Sequence, residues 1–200
     1  MARYTGSVCR LCRREGEKLF LKGTRCTSEK CALTKRAQAP GQHGNGRRSR
    51  VSDYGKHLRE KQKVKRYYGL LENQFKKYFE IASKKEGVTG ALFLASLEMR
   101  LDGVVYASGL AVSRAQGRQM IRQGKVTVNG KKVDIPSYLT SVGDVIGTID
   151  NRDTNKEKDL MPVWLAWNGS KKEVKVQGEP KKEDIGIEIN EQLIVEFYSR

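Results

Sequence analysis

Residues 113–133 read SRAQGRQMIRQGKVTVNGKKV, a capped helix running into a tight hairpin. Ser113 is a natural N-cap, and Gly124 is where a helix begun at Arg114 should stop. On a helical wheel with Arg114 at 0°, Arg118 falls at about 40° and Arg122 at about 80°, while Ile121, Gly117 and Met120 fall at about 340°, 300° and 240°. Three arginines therefore share one stripe beside an apolar face, and Gly117 allows that face to pack closely. Lys125-Val126-Thr127-Val128 then alternates as a strand, Asn129-Gly130 makes the turn, and Lys131-Lys132-Val133 returns. No acid stands between residues 114 and 132, whereas a solvated helix face ordinarily carries both signs.

The flanking sequence is organised around the same charge. The chain has 200 residues and a formal charge of +16. Residues 1–66 hold 19 Lys and Arg against five acids, so nearly all the excess lies in the first third. Leu, Ile, Val and Phe together make 46 residues, 23% of the chain, close to the roughly 20% below which a highly charged chain does not fold alone. Such a chain is expected to fold in parts and to be completed by an anionic partner. A membrane surface would call for large apolar residues opposite the basic ones, but residues 36–50 are instead rich in Gly, Gln and Ser, so nucleic acid is the partner expected. No apolar run reaches membrane-spanning length and the start MARYTGSV has no signal-peptide core, which predicts a soluble protein in a reducing compartment.

All four cysteines lie in one 23-residue segment. Cys9 and Cys12 form one close pair, Cys26 and Cys31 another, the arrangement by which two turns of backbone supply four thiolates to a tetrahedral metal. Zinc is the default ion, and an iron–sulfur cluster is the alternative that four thiolates leave open. The segment is too basic and too poor in apolar residues to fold by burial, so the metal is expected to supply its folding energy. With the ligand set complete, His43 is read as a surface or RNA-stacking histidine, and His57, in a charged helix, is read the same way.

Between this arm and the hairpin lie helices. Ser52 or Asp53 caps one that carries Lys56, Arg59, Lys61, Lys63 and Arg66. The next places Leu71, Phe75, Tyr78, Phe79 and Ala82 on one apolar face, and Thr89 opens a third. Beyond the hairpin, Val163–Trp167, Val174–Val176 and Leu193–Val195 read as three further strands, with the tryptophans in the core. The expected fold is α+β: a four-cysteine metal-binding arm (1–45), a helical domain (46–95), and an α/β nucleic-acid-binding domain (96–200, module core about 98–150) with an antiparallel sheet.

The segment from Ser113 to Gly130 resembles the small RNA-binding module named after the fourth small-subunit ribosomal protein. The similarity extends to Ser52-Asp53-Tyr54-Gly55, to Leu58–Lys63, to Tyr67–Leu70, to the terminal Val195-Glu196-Phe197-Tyr198-Ser199-Arg200 and to the four-cysteine arm, which only some members of that bacterial family possess. The resemblance implies a non-enzymatic constituent of the cytoplasmic ribosome's small subunit and a primary binder of 16S ribosomal RNA that nucleates 5′-domain assembly. It also implies neighbours in small-subunit proteins five and three, a place near where messenger RNA enters, an influence on decoding accuracy, and no homo-oligomer. The residues expected at RNA are Arg36, Arg47, Arg48, Arg50, Lys56, Arg59, Lys61, Lys63, Arg66, Ser113, Arg114, Arg118, Arg122, Lys125, Lys131 and Lys132. The same module also occurs on RNA-modifying enzymes, but no phosphate loop, nucleotide-binding glycine pattern or nucleophile constellation appears here. A zinc-dependent DNA-binding regulator would need a reading helix, which the cysteine loop lacks.

Overall fold

The computed structural model describes residues 3–46, 50–150, 153 and 161–199. The chain divides into two compact units, one comprising residues up to Gly90 together with the stretch from Ile187 onward, the other Ala91–Gly186.

The first unit begins with three short helices, α1 (Cys9–Glu15), α2 (Thr24–Thr27) and α3 (Ala32–Lys35), followed by a 3₁₀ turn at Gln42–Asn45. Gly16 ends α1 in the left-handed region, φ 81°, and its N–H closes onto the Cys12 carbonyl. The long α4 (Asp53–Tyr67) opens as expected, with the Ser52 hydroxyl accepting from the Gly55 N–H. α5 (Glu72–Ser83) buries Phe75, Phe79 and Ala82, while Leu71 lies just before it and is exposed.

The last element corrects the sequence reading. Leu193–Val195 is not a strand but part of α9 (Glu191–Tyr198), capped by the Asn190 side chain, which accepts from the Leu193 N–H. The β-branched and leucine run resembles a buried strand, yet Ile194 is buried, Leu193 and Val195 are half-buried, and α9 packs along α4 with Tyr198 stacked on Phe79 at 4.7 Å. Residues 187–199 thus complete the helical unit and do not extend the α/β domain.

In the second unit most of α6 (Thr89–Glu98) leads into α7 (Leu101–Ala107) and α8 (Arg114–Arg122). Five antiparallel strands follow: β1 (Val126–Val128), β2 (Lys131–Lys132), β3 (Val145–Thr148), β4 (Leu165–Asn168) and β5 (Glu173–Val176), in the order β2-β1-β3-β5-β4. The sequence reading missed β3, a four-residue strand whose alternation is broken by Gly147. Its register, Thr127 opposite Gly147 and Ile146 opposite Val174, makes it the central strand that joins the hairpin to the C-terminal pair. One core runs through α7, α8 and the sheet and contains Val104, Val105, Met120, Ile121, Val126, Ile146, Val174 and Trp164, with Trp167 packed against it. Trp164 is therefore a core residue, as expected, and Trp167 is half-buried against that core. Among the described residues, no helix is long and apolar enough to cross a membrane.

Candidate nucleic-acid interface

α8 begins as its sequence dictates: the Ser113 Oγ accepts the Gln116 N–H at 3.3 Å. Ser113 is itself buried, so its role here is to cap the helix. Gly117 seats α8 on α7, since an added Cβ would stand 3.3 Å from Val105 Cγ1 and 3.5 Å from the Asp102 carbonyl oxygen. Gly124, at φ 68°, stops the helix, and Asn129 and Gly130 both take positive φ (51° and 76°), the tight turn that two-residue hairpins require. The end of α8 and the hairpin converge, because a Cβ at Gly124 would run into the aliphatic stem of Lys132. Arg122, Lys131 and Lys132 are exposed and Lys125 is half-exposed, its ammonium 3.4 Å from Asp150.

The arginine stripe divides. Arg118 Nη1 lies 3.2 Å from Asp102 Oδ2, and Asp102 already receives Arg100 through both carboxylate oxygens, at 3.0 and 2.8 Å. Arg100 is fully buried and the Arg118 side chain only 11% exposed. Arg114 Nη2 donates to Glu98 Oε1 at 2.7 Å, with its guanidinium 4.7 Å from the Tyr106 ring centroid. Reading all three arginines as a solvent-facing stripe is thus corrected: periodicity gave the shared face, but Glu98 and Asp102, which lie 16 residues away in sequence, draw the first two into ion pairs and leave Arg122 open.

The basic helix α4 divides in the same way. Lys56 is exposed, with Asp53 at 2.9 Å. Lys61 and Lys63 are buried: Lys61 reaches Glu72 at 2.6 Å and lies over the Phe197 ring at 4.5 Å, and Lys63 reaches Glu60 at 3.1 Å and Glu17 at 3.3 Å. Arg59 and Arg66 both pair with the buried Glu15 of α1. Burial pushes the Glu15 carboxyl up, against the pull of Arg66 and Arg59. Glu72 gathers Lys61, Lys65 and the Tyr198 hydroxyl, which donates to it at 2.9 Å. Partial burial pushes the Glu72 carboxyl up, but those hydrogen bonds outweigh it and bring it down to about 2. Burial and the same carboxylate push the Tyr198 hydroxyl well above the ordinary tyrosine range. His57, expected on the surface, is buried, with Nδ1 2.5 Å from the Asp53 carbonyl and Nε2 2.7 Å from Glu196. Its burial comes from α9, the element whose sequence reads as a strand. Arg36 and Arg50 are exposed; Arg47 and Arg48 lie outside the described residues.

The four cysteines are free thiols, Cys12, Cys26 and Cys31 buried and Cys9 partly so. They share one neighbourhood. Burial pushes the Cys12 thiol up, an amide hydrogen bond at Leu19 opposes this, and Cys26, Cys9 and Cys31 each push in the same direction as burial. Burial also pushes Cys31 up, but hydrogen bonds from the Thr34 and Leu33 amides and the Thr34 hydroxyl, together with Lys18, more than reverse it. The Lys22 N–H reaches Cys26 Sγ at 3.3 Å. Among the described residues, no group of three or more His, Cys, Asp or Glu is drawn together as a closed ligand set. The donor chemistry nevertheless suits a soft dication held by four neighbouring sulfurs, three of which, those of Cys12, Cys26 and Cys31, already accept backbone N–H groups.

Capped helix, type I′ hairpin and exposed cationic edge together define an RNA-binding module of the S4 type: residues 99–146 match the S4 domain, and residues 3–98 match the ribosomal protein S4/S9 N-terminal domain. Over its full length the chain is 55% identical to the small ribosomal subunit protein uS4 of Acetivibrio thermocellus and 55% identical to that of Halothermothrix orenii, each covered completely. It is 54% identical to the uS4A protein of Alkaliphilus oremlandii, also over both full lengths. The chain belongs to the uS4 family of small ribosomal subunit proteins.

Proposed function

We infer that this protein is a structural constituent of the small ribosomal subunit that binds 16S ribosomal RNA, and that it is not an enzyme. The observation that carries this reading is the convergence of exposed Arg122, Lys131 and Lys132 on a rigid helix and hairpin whose opposite side is buried core. Arg122 supplies a planar fork for phosphate, and the hairpin lysines supply mobile point charges. The other unit exposes basic residues of its own, Arg36, Arg50 and Lys56. Lys61, Lys63, Arg114 and Arg118 act one step back, holding the helices that present those groups. The subunit proteins five and three, the place near messenger RNA and the influence on accuracy belong to the same reading through family membership. Binding to 5′-domain 16S RNA, measured beside a DNA duplex of equal length, tests it: preference for the RNA by about tenfold or more supports it, and equal binding overturns it.

The cysteine arm is proposed to hold one zinc ion through Cys9, Cys12, Cys26 and Cys31. Zinc would cross-link the two turns and supply folding energy that the thin core of this arm does not. Elemental analysis of carefully prepared protein decides: about one zinc per chain supports the proposal, iron with matching sulfide replaces it with a cluster, and neither metal refutes it.

A further inference from the structure

The cysteine arm carries an open basin of about 600 Å³, and seven of its ten lining residues are cationic. Arg10 and Arg13 of α1 stand on one side, Lys22 and Arg25 on the approach to and within α2, and Lys30, Lys35 and Arg36 around α3, with Ser7, Cys9 and Ala32 between them. Among the described residues, no carboxylate lines it. Arg13 is fixed as part of the wall, its Nε donating to the Gln38 carbonyl at 2.9 Å. The other six cations form no ion pair with a carboxylate among the described residues, unlike Arg59, Lys61, Arg114 and Arg118, which fold against Glu15, Glu72, Glu98 and Asp102. Backbone turns thus hold like charges around one concavity at a cost in self-repulsion that a bound polyanion lowers. The volume falls within the ordinary range of ligand sites, roughly 300–1,000 Å³.

We propose that this basin is a discrete seat for a short run of consecutive phosphates, separate from the hairpin surface. A single phosphate would engage two or three of the cations, whereas a chain of two or three phosphates engages both the α1 side and the α3 side at once. Two sources share this chemistry: a bent stretch of RNA backbone and a free polyphosphate such as a nucleoside triphosphate. The inference deepens the RNA-binding reading and rests on it only for the source, since the seat itself is a property of the arm.

The test uses the full chain with inorganic tripolyphosphate as the probe, by calorimetry at about 0.1 M salt, where the screening length is about 10 Å. One equivalent should bind saturably. Binding should weaken about tenfold or more in a triple variant Arg25→Gln, Lys30→Gln, Lys35→Gln, and less than about twofold in a charge-matched control Lys77→Gln, Lys84→Gln, Lys85→Gln, because long-range charge alone is screened within about 10 Å at ordinary salt. Circular dichroism checks the fold of each variant, and if the triple variant unfolds, Arg10→Gln with Arg36→Gln takes its place. Displacement of tripolyphosphate by 5′-domain RNA identifies the occupant as RNA backbone, and simultaneous binding identifies a free polyphosphate. Absence of saturable binding, or equal weakening in the control, overturns the seat while leaving RNA binding through the hairpin untouched. Tripolyphosphate binding in a protein that shows no preference for RNA would overturn the functional reading and leave the seat standing.

Discussion

Arg118 and Arg122 sit one helical turn apart, carry the same charge, and do different work. Arg118 is held by a buried carboxylate that also holds Arg100, so truncating it removes a charged hydrogen bond and leaves Asp102 with one partner fewer. Arg118→Ala is therefore expected to destabilise the protein by about 1–3 kcal/mol, and Asp102→Ala, which removes the buried carboxylate that two guanidinium groups share, by about 3–5 kcal/mol. Arg122→Ala should leave the melting temperature within about a degree or two of wild type, as surface substitutions generally do, and lower RNA affinity instead. Thermal melts beside RNA titrations below the melting point check the contrast; an Arg118→Ala protein that melts like wild type but binds poorly would return that arginine to the RNA surface. Glu72 makes a second residue-scale prediction. Its carboxyl titrates near 2 when folded and near the ordinary carboxylate value when unfolded, so the stability it contributes is complete above about pH 4.5 and is lost as pH falls toward 2. Because the side chain is 43% exposed, solvent screens part of that contribution. Melting temperature against pH for wild type and Glu72→Gln should differ at neutral pH and converge in that acid window.

At the scale of elements, α8 has two faces with separable consequences. Ile121 is fully buried in the core beneath the sheet, and Ile121→Ala should cost about 2–5 kcal/mol, with RNA binding lost only as the second unit unfolds. Gly117→Val brings a side chain against Val105 and the Asp102 carbonyl, and overpacking of this kind costs about 1–3 kcal/mol. Denaturant melts followed by tryptophan fluorescence report both, since Trp164 lies in that core and Trp167 packs against it. The four-cysteine arm is likewise an element with a consequence for its neighbour. Sequence patterning suggests an independent arm, because no apolar periodicity ties it to the helices. In the structure, Glu15 and Glu17 reach Arg59, Arg66 and Lys63 of α4, so loss of the proposed zinc would release those cations from their carboxylate partners on a helix that is otherwise intact. Chelation, or Cys26→Ser, is expected to expose amides of residues 9–35 to hydrogen exchange first and to raise exchange in α4, while β1, β3 and β5 stay protected. Unchanged exchange in α4 would show that the arm is energetically separate.

The whole molecule gathers a net charge of +16 on a chain whose apolar content barely suffices for folding, and it uses many of those charges internally. Phosphate binding by those that remain open should follow counterion release. Replacing Arg122, Lys131 and Lys132 by Gln should flatten the dependence of log affinity on log salt by roughly 0.7–0.9 for each phosphate no longer neutralised, about two to three in all. Replacing Lys61 and Lys63 by Gln should instead lower stability with little change of slope. Affinity measured at four or five salt concentrations for both variants distinguishes these outcomes, and a markedly flatter slope in the second variant would place the α4 lysines on RNA.

Local chemistry alone determined much of this protein. Ser113, Gly124 and the Asn129-Gly130 pair set the helix start, helix stop and turn through backbone preferences that act within a few residues, and the alternating valines of β1 and β5 set their buried faces. The cysteine spacing, the cap at Ser52 and the apolar face of α5 belong to the same class. Tertiary structure alone decided which basic residues face outward, since Glu15, Glu72, Glu98 and Asp102 take Arg66, Lys65, Arg114 and Arg118 across 7 to 51 residues by proximity, and sequence periodicity carries no record of a carboxylate on another helix. It also decided that Leu193–Val195 coils into α9. A short apolar run suits strand or helix equally, and the groove along α4, with Phe79 and His57 beside it, is filled by a helix because one helical turn brings Ile194 and Tyr198 onto the same buried side.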